Sequence, residues 1–207
     1  MKAWERVAKR ALDVAGAGVG LALSAPVIGV AAVLIKLEDG GPVFFRQERV
    51  GLDGASFEVL KLRTMVVDAE SKGAGYAVDA GDARILRIGD LLRKTSIDEL
   101  PQFWNVASGE MSLVGPRPTL RYQVEQYTEH QRRRLDVKPG VTGWAQIHGR
   151  ASLPWAERIA LDVWYVDHQS LKLDLSIMLR TVGTIFSRSG TYKGESGGWQ
   201  PDQGGSA

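Results

Sequence analysis

Residues 14–35 read Val-Ala-Gly-Ala-Gly-Val-Gly-Leu-Ala-Leu-Ser-Ala-Pro-Val-Ile-Gly-Val-Ala-Ala-Val-Leu-Ile, 22 positions without a charged side chain. As one straight helix this run would extend about 33 Å, enough to cross the hydrocarbon core of a bilayer. Its middle, Ser24-Ala25-Pro26, works against a simple span. Pro26 lacks a backbone donor, and its ring clashes with the preceding turn. The flanks point the same way, because Lys2, Arg6, Lys9 and Arg10 precede the run while Lys36, Arg46 and Arg49 follow it. Basic residues favour the cytosolic face, so both ends are drawn to one side. Two half-helices of about 12 residues, each reaching about 18 Å, would enter and leave the same leaflet. On the residues alone, spanning and re-entrant forms are evenly matched. Leu23-Ser24-Ala25 could pass for a signal-peptide cleavage site, but the apolar sequence continues past it. Trp4, between Lys2 and Arg6, suits an interfacial anchor.

The 207-residue chain is long enough to bury a real core. Its average composition, 44% hydrophobic and 24% charged, is that of a globular protein. That average conceals the concentration of uninterrupted apolar sequence before Lys36. A net charge of +2, with only Arg132-Arg133-Arg134 as a basic run, lacks the electrostatic footprint of a nucleic-acid binder. With no cysteine, disulfides, thiolate metal sites and a Cys nucleophile are excluded.

After Leu37 the pattern is that of a compact α/β or α+β domain without internal repeats. Glu38-Asp39-Gly40-Gly41-Pro42 reads as a turn. Strands are expected over Pro42 to Val50 and Ser56 to Leu62, joined by a hairpin at Leu52-Asp53-Gly54. Residues 66–81 read as a mobile loop, and helical periodicity begins at Ala83. A further helix is expected near Ile97, and one or two more within Pro118 to Arg134. Pro139 to Gly143 reads as a Gly-rich loop, followed by helices over Trp155 to His168 and Asp174 to Phe186. Trp155, Trp164 and Tyr165 belong either to the core or to a membrane-facing surface. The organisation is therefore a membrane segment over 1–37, a folded domain with interfacial amphipathic helices over 38–187 that is the candidate catalytic domain, and a flexible tail over 188–207.

Several short constellations could carry chemistry. Ser96-x-x-Glu99 fits a helix-capping box, the bland reading of Thr95-Ser96-Ile97-Asp98-Glu99-Leu100-Pro101. The alternative makes Asp98 and Glu99 a carboxylate pair at the mouth of a site, one attacking phosphorus and the other helping to hold a divalent cation. Arg87, Arg93 and Lys94 escort the pair. Gly115-Pro116-Arg117-Pro118 holds a guanidinium between two rigid residues, which leaves it little freedom to lose. Lys61-Leu62-Arg63-Thr64 closes a strand and offers two cations to phosphates. Pro139-Gly140-Val141-Thr142-Gly143-Trp144 matches no Walker or dinucleotide motif. His130, His148 and His168 lack metal-ligand spacing, and no Ser nucleophile elbow is present.

Taken in order, these blocks resemble the monotopic phosphoglycosyl transferases, the bacterial sugar transferase family that primes polyprenyl phosphate. The resemblance runs from about Lys9 to Phe186. Its motifs are Gly41-Pro42-Val43-Phe44-Phe45-Arg46-Gln47-Glu48-Arg49-Val50-Gly51, Lys61-Leu62-Arg63-Thr64-Met65 and Arg93-Lys94-Thr95-Ser96-Ile97-Asp98-Glu99-Leu100-Pro101-Gln102. Met111-Ser112-Leu113-Val114-Gly115-Pro116-Arg117-Pro118 and Lys138-Pro139-Gly140-Val141-Thr142-Gly143-Trp144-Ala145-Gln146 complete them. Two positions depart from the family: Ala25 stands where Ser often precedes the proline, and Leu62 replaces a more usual Phe.

The resemblance implies a fold: an N-terminal broken re-entrant membrane helix before a compact, mainly helical cytosolic domain with a small β-hairpin. It also implies a reaction, in which a UDP-sugar gives its sugar phosphate to undecaprenyl or another polyprenyl phosphate and releases UMP. Asp98 would be the nucleophile that forms a covalent phosphosugar, with Glu99 assisting; both would bind Mg2+. Arg93, Arg117 and Arg150 would bind phosphates or nucleotide, with Lys61 and Arg63 as further candidates. Asp162 and Asp174 would organise the site, and Ser24 and Pro26 the membrane break. The expected location is the bacterial inner membrane among its lipids, with the domain on the cytosolic face, at the first membrane step of polysaccharide or glycoprotein assembly. Two rivals stay open: a glycosyltransferase that moves only the sugar and releases UDP, and a non-catalytic membrane scaffold. The sugar and the oligomeric state, a homodimer included, are not legible.

Overall fold

The computed structural model describes residues 1–71, 81–149 and 152–187. The expected tail, 188–207, lies outside them, as does most of the loop expected over 66–81. The architecture is mainly helical with one small hairpin, as expected. Helix α1 (Ala3–Asp39) leads into a hairpin of β1 (Phe44–Val50) and β2 (Ser56–Leu62). Then come α2 (Arg87–Lys94), a 3-10 turn at Ile97–Glu99, α3 (Gln102–Ser108), β3 (Ser112–Val114), α4 (Arg121–Val124), α5 (Glu129–Arg132) and β4 (Gly140–Thr142). The described chain closes with α6 (Trp144–Ile147), α7 (Trp155–His168) and α8 (Leu171–Ser187).

The helical backbone of α1 runs without interruption through Ser24-Ala25-Pro26, so the two expected half-helices are one element of 37 residues. A single proline removes one hydrogen bond, here the donor to the Ala22 carbonyl, and bends a helix without having to end it. Ser24 does not replace that donor; its hydroxyl donates to Leu21 O at 3.4 Å, one residue earlier. The helix also persists through Glu38 and Asp39, where a turn is expected, and ends at Gly40 in the left-handed region (φ 70°).

Helix α1 is long and apolar enough to cross a membrane, and one face of it carries exposed Val7, Val14, Val19, Leu23, Val30, Val33 and Leu37. This contiguous apolar surface marks a membrane-associated protein. The opposite face is part of the protein core. Ala17 joins a cluster with Val59, Val106 and Met111, while Ala31 and Ile35 pack with Leu62, Leu86 and Leu92. Gly16 and Gly20 admit Leu113 and Phe103, since a Cβ at either position would stand 2.6 Å and 2.9 Å from those side chains.

Both ends of α1 are bonded to the same domain. At the N-terminal end Lys9 meets Asp174 Oδ2 at 2.6 Å and Val114 O at 3.0 Å, and buried Asp13 accepts from Ser112 Oγ and Leu113 N. Lys9 is therefore a tertiary contact as well as a flanking charge. At the C-terminal end Asp39 pairs with Arg63. Two further contacts hold the segment between α2 and α3. Arg10 donates to Val106 O (2.7 Å) and Ala107 O (3.0 Å) in the last turn of α3. Glu38 accepts from the backbone N–H groups of Arg87 (2.6 Å) and Ile88 (3.0 Å) in the first turn of α2. A cation at a helix C-terminus and an anion at an N-terminus both complement the dipole.

The hairpin pairs Phe44 with Leu62 through to Val50 with Ser56, and Asp53 and Gly54 turn the chain in the left-handed region (φ 54° and 79°). Residues 83–86, expected to be helical, instead form a turn closed by Ile85 N–H on Asp82 O, after which Ile85 bridges Met65; Asp82 pairs with Arg84 within the turn. The expected loop at 139–143 contains a strand: β4 runs parallel to β3, Ser112 opposite Gly140 and Val114 opposite Thr142. The strands meet at Gly115 and Gly140. A Cβ at Gly115 would fall 2.3 Å from Lys138 O and one at Gly140 2.1 Å from Gly115 N, so only glycine fits at either. Tyr165 is fully buried, whereas Trp164 stacks between Trp144 and His168 at the surface.

Candidate active site

Asp98 and Glu99 lie on the 3-10 turn between α2 and α3, the segment that Glu38 and Arg10 hold at its two ends. The expected capping box is absent. Ser96 sits in the left-handed region (φ 57°), and its side chain makes no cap. That conformation costs a non-glycine residue about 1–2 kcal/mol. The Glu99 carboxylate turns away from the backbone because two cations offer charge-assisted bonds. Lys61 Nζ lies 2.8 Å from Glu99 Oε1, and Arg117 donates to both Glu99 oxygens, Nη1 at 3.3 Å from Oε2.

These contacts divide the pair. Burial disfavours the Glu99 anion, but Arg117 and Lys61 outweigh that cost and hold its carboxyl below the usual range. Asp98 is pushed up to about 6, first by burial and then by the Glu99 charge, against the pull of Lys61, Arg93 and Arg117. Among the described residues, none hydrogen-bonds to the Asp98 carboxylate. The result is one clamped carboxylate beside one bare carboxylate under three positive charges. Burial lowers the Lys61 ammonium and Glu99 raises it, while the Glu99 charge raises the Arg117 guanidinium.

The structure thus gathers Asp98, Glu99, Lys61, Arg93 and Arg117. Arg93 projects from the last turn of α2, with Nη1 3.5 Å from Thr64 Oγ1. Arg63 is placed elsewhere. Buried at 5% exposure, it is committed to Asp39, to Pro42 O and to Met65 O. It closes the junction between α1 and the hairpin. Arg150 lies outside the described residues.

Asp162 and Asp174 stand behind the site, and both lead to Arg117. Asp162 on α7 forms a buried ion pair with Arg134, which donates to Arg117 O at 3.0 Å and to Tyr127 Oη. Asp174 on α8 meets Lys9 and, at 2.6 Å, Tyr165 Oη. Lys9 and Tyr165 both donate to Val114 O, at the end of β3 where Gly115-Pro116-Arg117 begins. Burial pushes both aspartates up, opposed by Arg134 and Lys9 respectively. Sequence reasoning missed Arg134, which it noted only as part of a short basic run with Arg132 and Arg133.

Among the described residues no three His, Asp or Glu side chains gather around a common point. Two adjacent carboxylates, one of them bare, still fit Mg2+, which takes one or two protein carboxylates and completes its shell with substrate phosphates and water.

Comparison with known proteins accords with this geometry. The family model described as bacterial sugar transferase matches residues 4–188. The chain is 45% identical over 184 residues to the "uncharacterized sugar transferase EpsL" of Bacillus subtilis, covering 89% of this chain and 90% of that protein. It is 44% identical over 192 residues to the UDP-glucose:undecaprenyl-phosphate glucose-1-phosphate transferase of Caulobacter vibrioides, covering 89% and 72%. With the UDP-N-acetylgalactosamine-undecaprenyl-phosphate N-acetylgalactosaminephosphotransferase of Aeromonas hydrophila it shares 43% over 188 residues, which is 88% of this chain but 44% of that longer protein. The motif blocks, the paired carboxylates under their cations and these likenesses agree: the chain belongs to the bacterial sugar transferase family.

Proposed function

We propose that this protein transfers a sugar-1-phosphate from a UDP-sugar to undecaprenyl or a similar polyprenyl phosphate, by way of a covalent phosphosugar on Asp98. The observation that carries this reading is the division of the pair: among the described residues Asp98 accepts no hydrogen bond and lies under the charges of Lys61, Arg93 and Arg117, while Glu99 is clamped by Lys61 and Arg117. A nucleophile must be free of donors, and an anion approaching a diphosphate needs positive charge to offset repulsion. An Asp98 oxygen attacks the sugar-bearing phosphorus, the bond from that phosphorus to the bridging oxygen breaks, and UMP leaves with the electron pair. A phosphate oxygen of the lipid then attacks the same phosphorus, the Asp98 carboxylate leaves, and polyprenyl-diphosphate sugar forms. Arg93 and Arg117 orient the donor phosphates, and Glu99 keeps Lys61 and Arg117 in place. Asp98 and Glu99 would hold Mg2+ with the donor phosphates, and the ion would supply charge neutralisation.

The relatives' names support donor and acceptor, since two act on UDP-sugars and undecaprenyl phosphate. The attachment of both ends of α1 to one domain supports a re-entrant helix, because a spanning helix would leave its ends on opposite faces. Cytosolic placement at the bacterial inner membrane follows from the basic residues at both flanks. The test supplies UDP-glucose, UDP-galactose and UDP-N-acetylgalactosamine with undecaprenyl phosphate and identifies the nucleotide released. UMP is expected, along with its loss in Asp98→Asn; UDP would indicate transfer of the sugar alone. Donor alone should add sugar-phosphate mass to Asp98.

A further inference from the structure

Arg158, in the first turn of α7, is held in surroundings that disfavour its charge. Its Nε is buried and has no hydrogen-bond partner. Its guanidinium lies over the Trp155 ring, 5.0 Å from the centroid, and Arg134 faces that ring at 5.9 Å. Burial opposes its protonation, and the charges of Arg117 and Arg134 add to that effect. The positive end of the α7 dipole adds a further penalty. The carboxylates that could relieve it are engaged elsewhere. Glu99 pairs with Lys61 and Arg117, and Asp162 pairs with Arg134 while its other oxygen remains buried and unpartnered. Among the described residues, Arg117 and Arg134 each hold a carboxylate, whereas none is paired with Arg158.

Position narrows the use. Arg117 meets Glu99 with its guanidinium and accepts from Arg134 at its carbonyl, and Arg134 shares the Trp155 ring with Arg158. Arg158 thus stands next to Arg134, on the side of Arg117 that does not meet Glu99. In an in-line displacement the leaving group departs on the side away from the nucleophile. We propose that Arg158 and Arg117 together form an oxyanion subsite for the nucleotide-side phosphate of the donor, the one that leaves as UMP. Arg158 supplies the donors still open, and the Trp155 face keeps its fork oriented. The ligand class is a nucleoside monophosphate, alone or as the distal half of a nucleoside diphosphate-sugar. The proposal rests on the donor chemistry given above and adds the residue that receives the leaving phosphate.

The test uses the full chain in lipid nanodiscs, as wild type, Arg158→Gln and Arg158→Lys. Readouts are the unliganded Tm, the Tm rise with UMP, inorganic phosphate or uridine, and KM for each substrate. A residue kept for binding and not for packing leaves the unliganded Tm of Arg158→Gln equal to or above that of the wild type. UMP should raise the wild-type Tm and uridine should not. In Arg158→Gln the UMP effect should vanish and donor KM should rise about 10- to 100-fold, as expected for a lost charge-assisted contact. Arg158→Lys, which keeps charge without the fork, should fall between. An unchanged UMP response and donor KM in Arg158→Gln would overturn the proposal. So would a rise confined to KM for polyprenyl phosphate, or inorganic phosphate matching UMP at equal concentration. If Arg158→Gln does not fold, an unaltered UMP response in Arg158→Lys overturns it equally. Failure of the wild type to release UMP from any UDP-sugar would refute the reaction proposed above, whereas UMP binding tests Arg158 independently of turnover.

Discussion

A carboxylate that attacks phosphorus has to be ionised and free of donors, and burial resists the first requirement. In Asp98 burial dominates and pushes the group up to about 6. Folding therefore favours its protonated form, and the stability it contributes is present at low pH and lost as pH rises through about 6. Glu99 has the opposite sign. Its lowered carboxyl stabilises the fold above the ordinary value of 4.5, and that share is lost as pH falls. Activity should accordingly show an acid limb near pH 6 in kcat/KM for the donor. Arg93 pulls Asp98 down, so Arg93→Gln should move the limb to higher pH; a limb fixed near 4 in both proteins would refute the assignment. Glu99→Gln leaves Lys61 and Arg117 short of an anion. It should cost about 1–3 kcal/mol and lower the Tm, and an unaltered Tm would show that the clamp adds nothing to stability.

Among the elements, α1 does more than anchor. Through Arg10 and Glu38 it grips the far ends of α3 and α2, and the Asp98-Glu99 turn lies between them. Arg10→Ala and Glu38→Ala should each destabilise the fold by about 1 kcal/mol, the scale of a helix cap. The contacts are far apart on α1, so the double variant should add to within about 0.5 kcal/mol. Urea unfolding of the three proteins gives the comparison, and no change in either single variant would remove the clamp. Local pattern was enough for some elements and not others. The bounds Trp155–His168 of α7 follow from its amphipathic spacing, because a long helix leaves many periodic positions to read. Helix α2 begins at Arg87, not Ala83, because Ile85 pairs with Met65 across 20 residues of sequence. Strand β4 is likewise visible only through its partner β3, since three residues beside glycines carry no strand period of their own.

For the whole molecule, the decisive fact is that one domain bonds to both ends of a helix long enough to cross a bilayer. The chain lacks cysteine, so single introduced thiols report topology cleanly. Lys2→Cys and Glu129→Cys, placed before α1 and on the domain, should both resist a membrane-impermeant maleimide in intact cells and both react in inverted vesicles. Labelling of Lys2→Cys alone in intact cells would establish a spanning helix and overturn the re-entrant reading.

By itself the sequence determined the membrane-associated apolar helix, the hairpin, the family and the Asp98-Glu99 pair. Each is written in a run or block of neighbouring residues. Only the tertiary structure decided what those residues do for one another. It divided the two carboxylates, withdrew Arg63 to Asp39, brought Arg134 behind Arg117, and set Ser96 in a left-handed turn where a cap was expected. These outcomes depend on burial and on partners tens of residues away. The physical reason is that a charge takes its protonation and its role from the dielectric and counter-charges around it, and the folded chain assembles those surroundings from residues far apart in sequence.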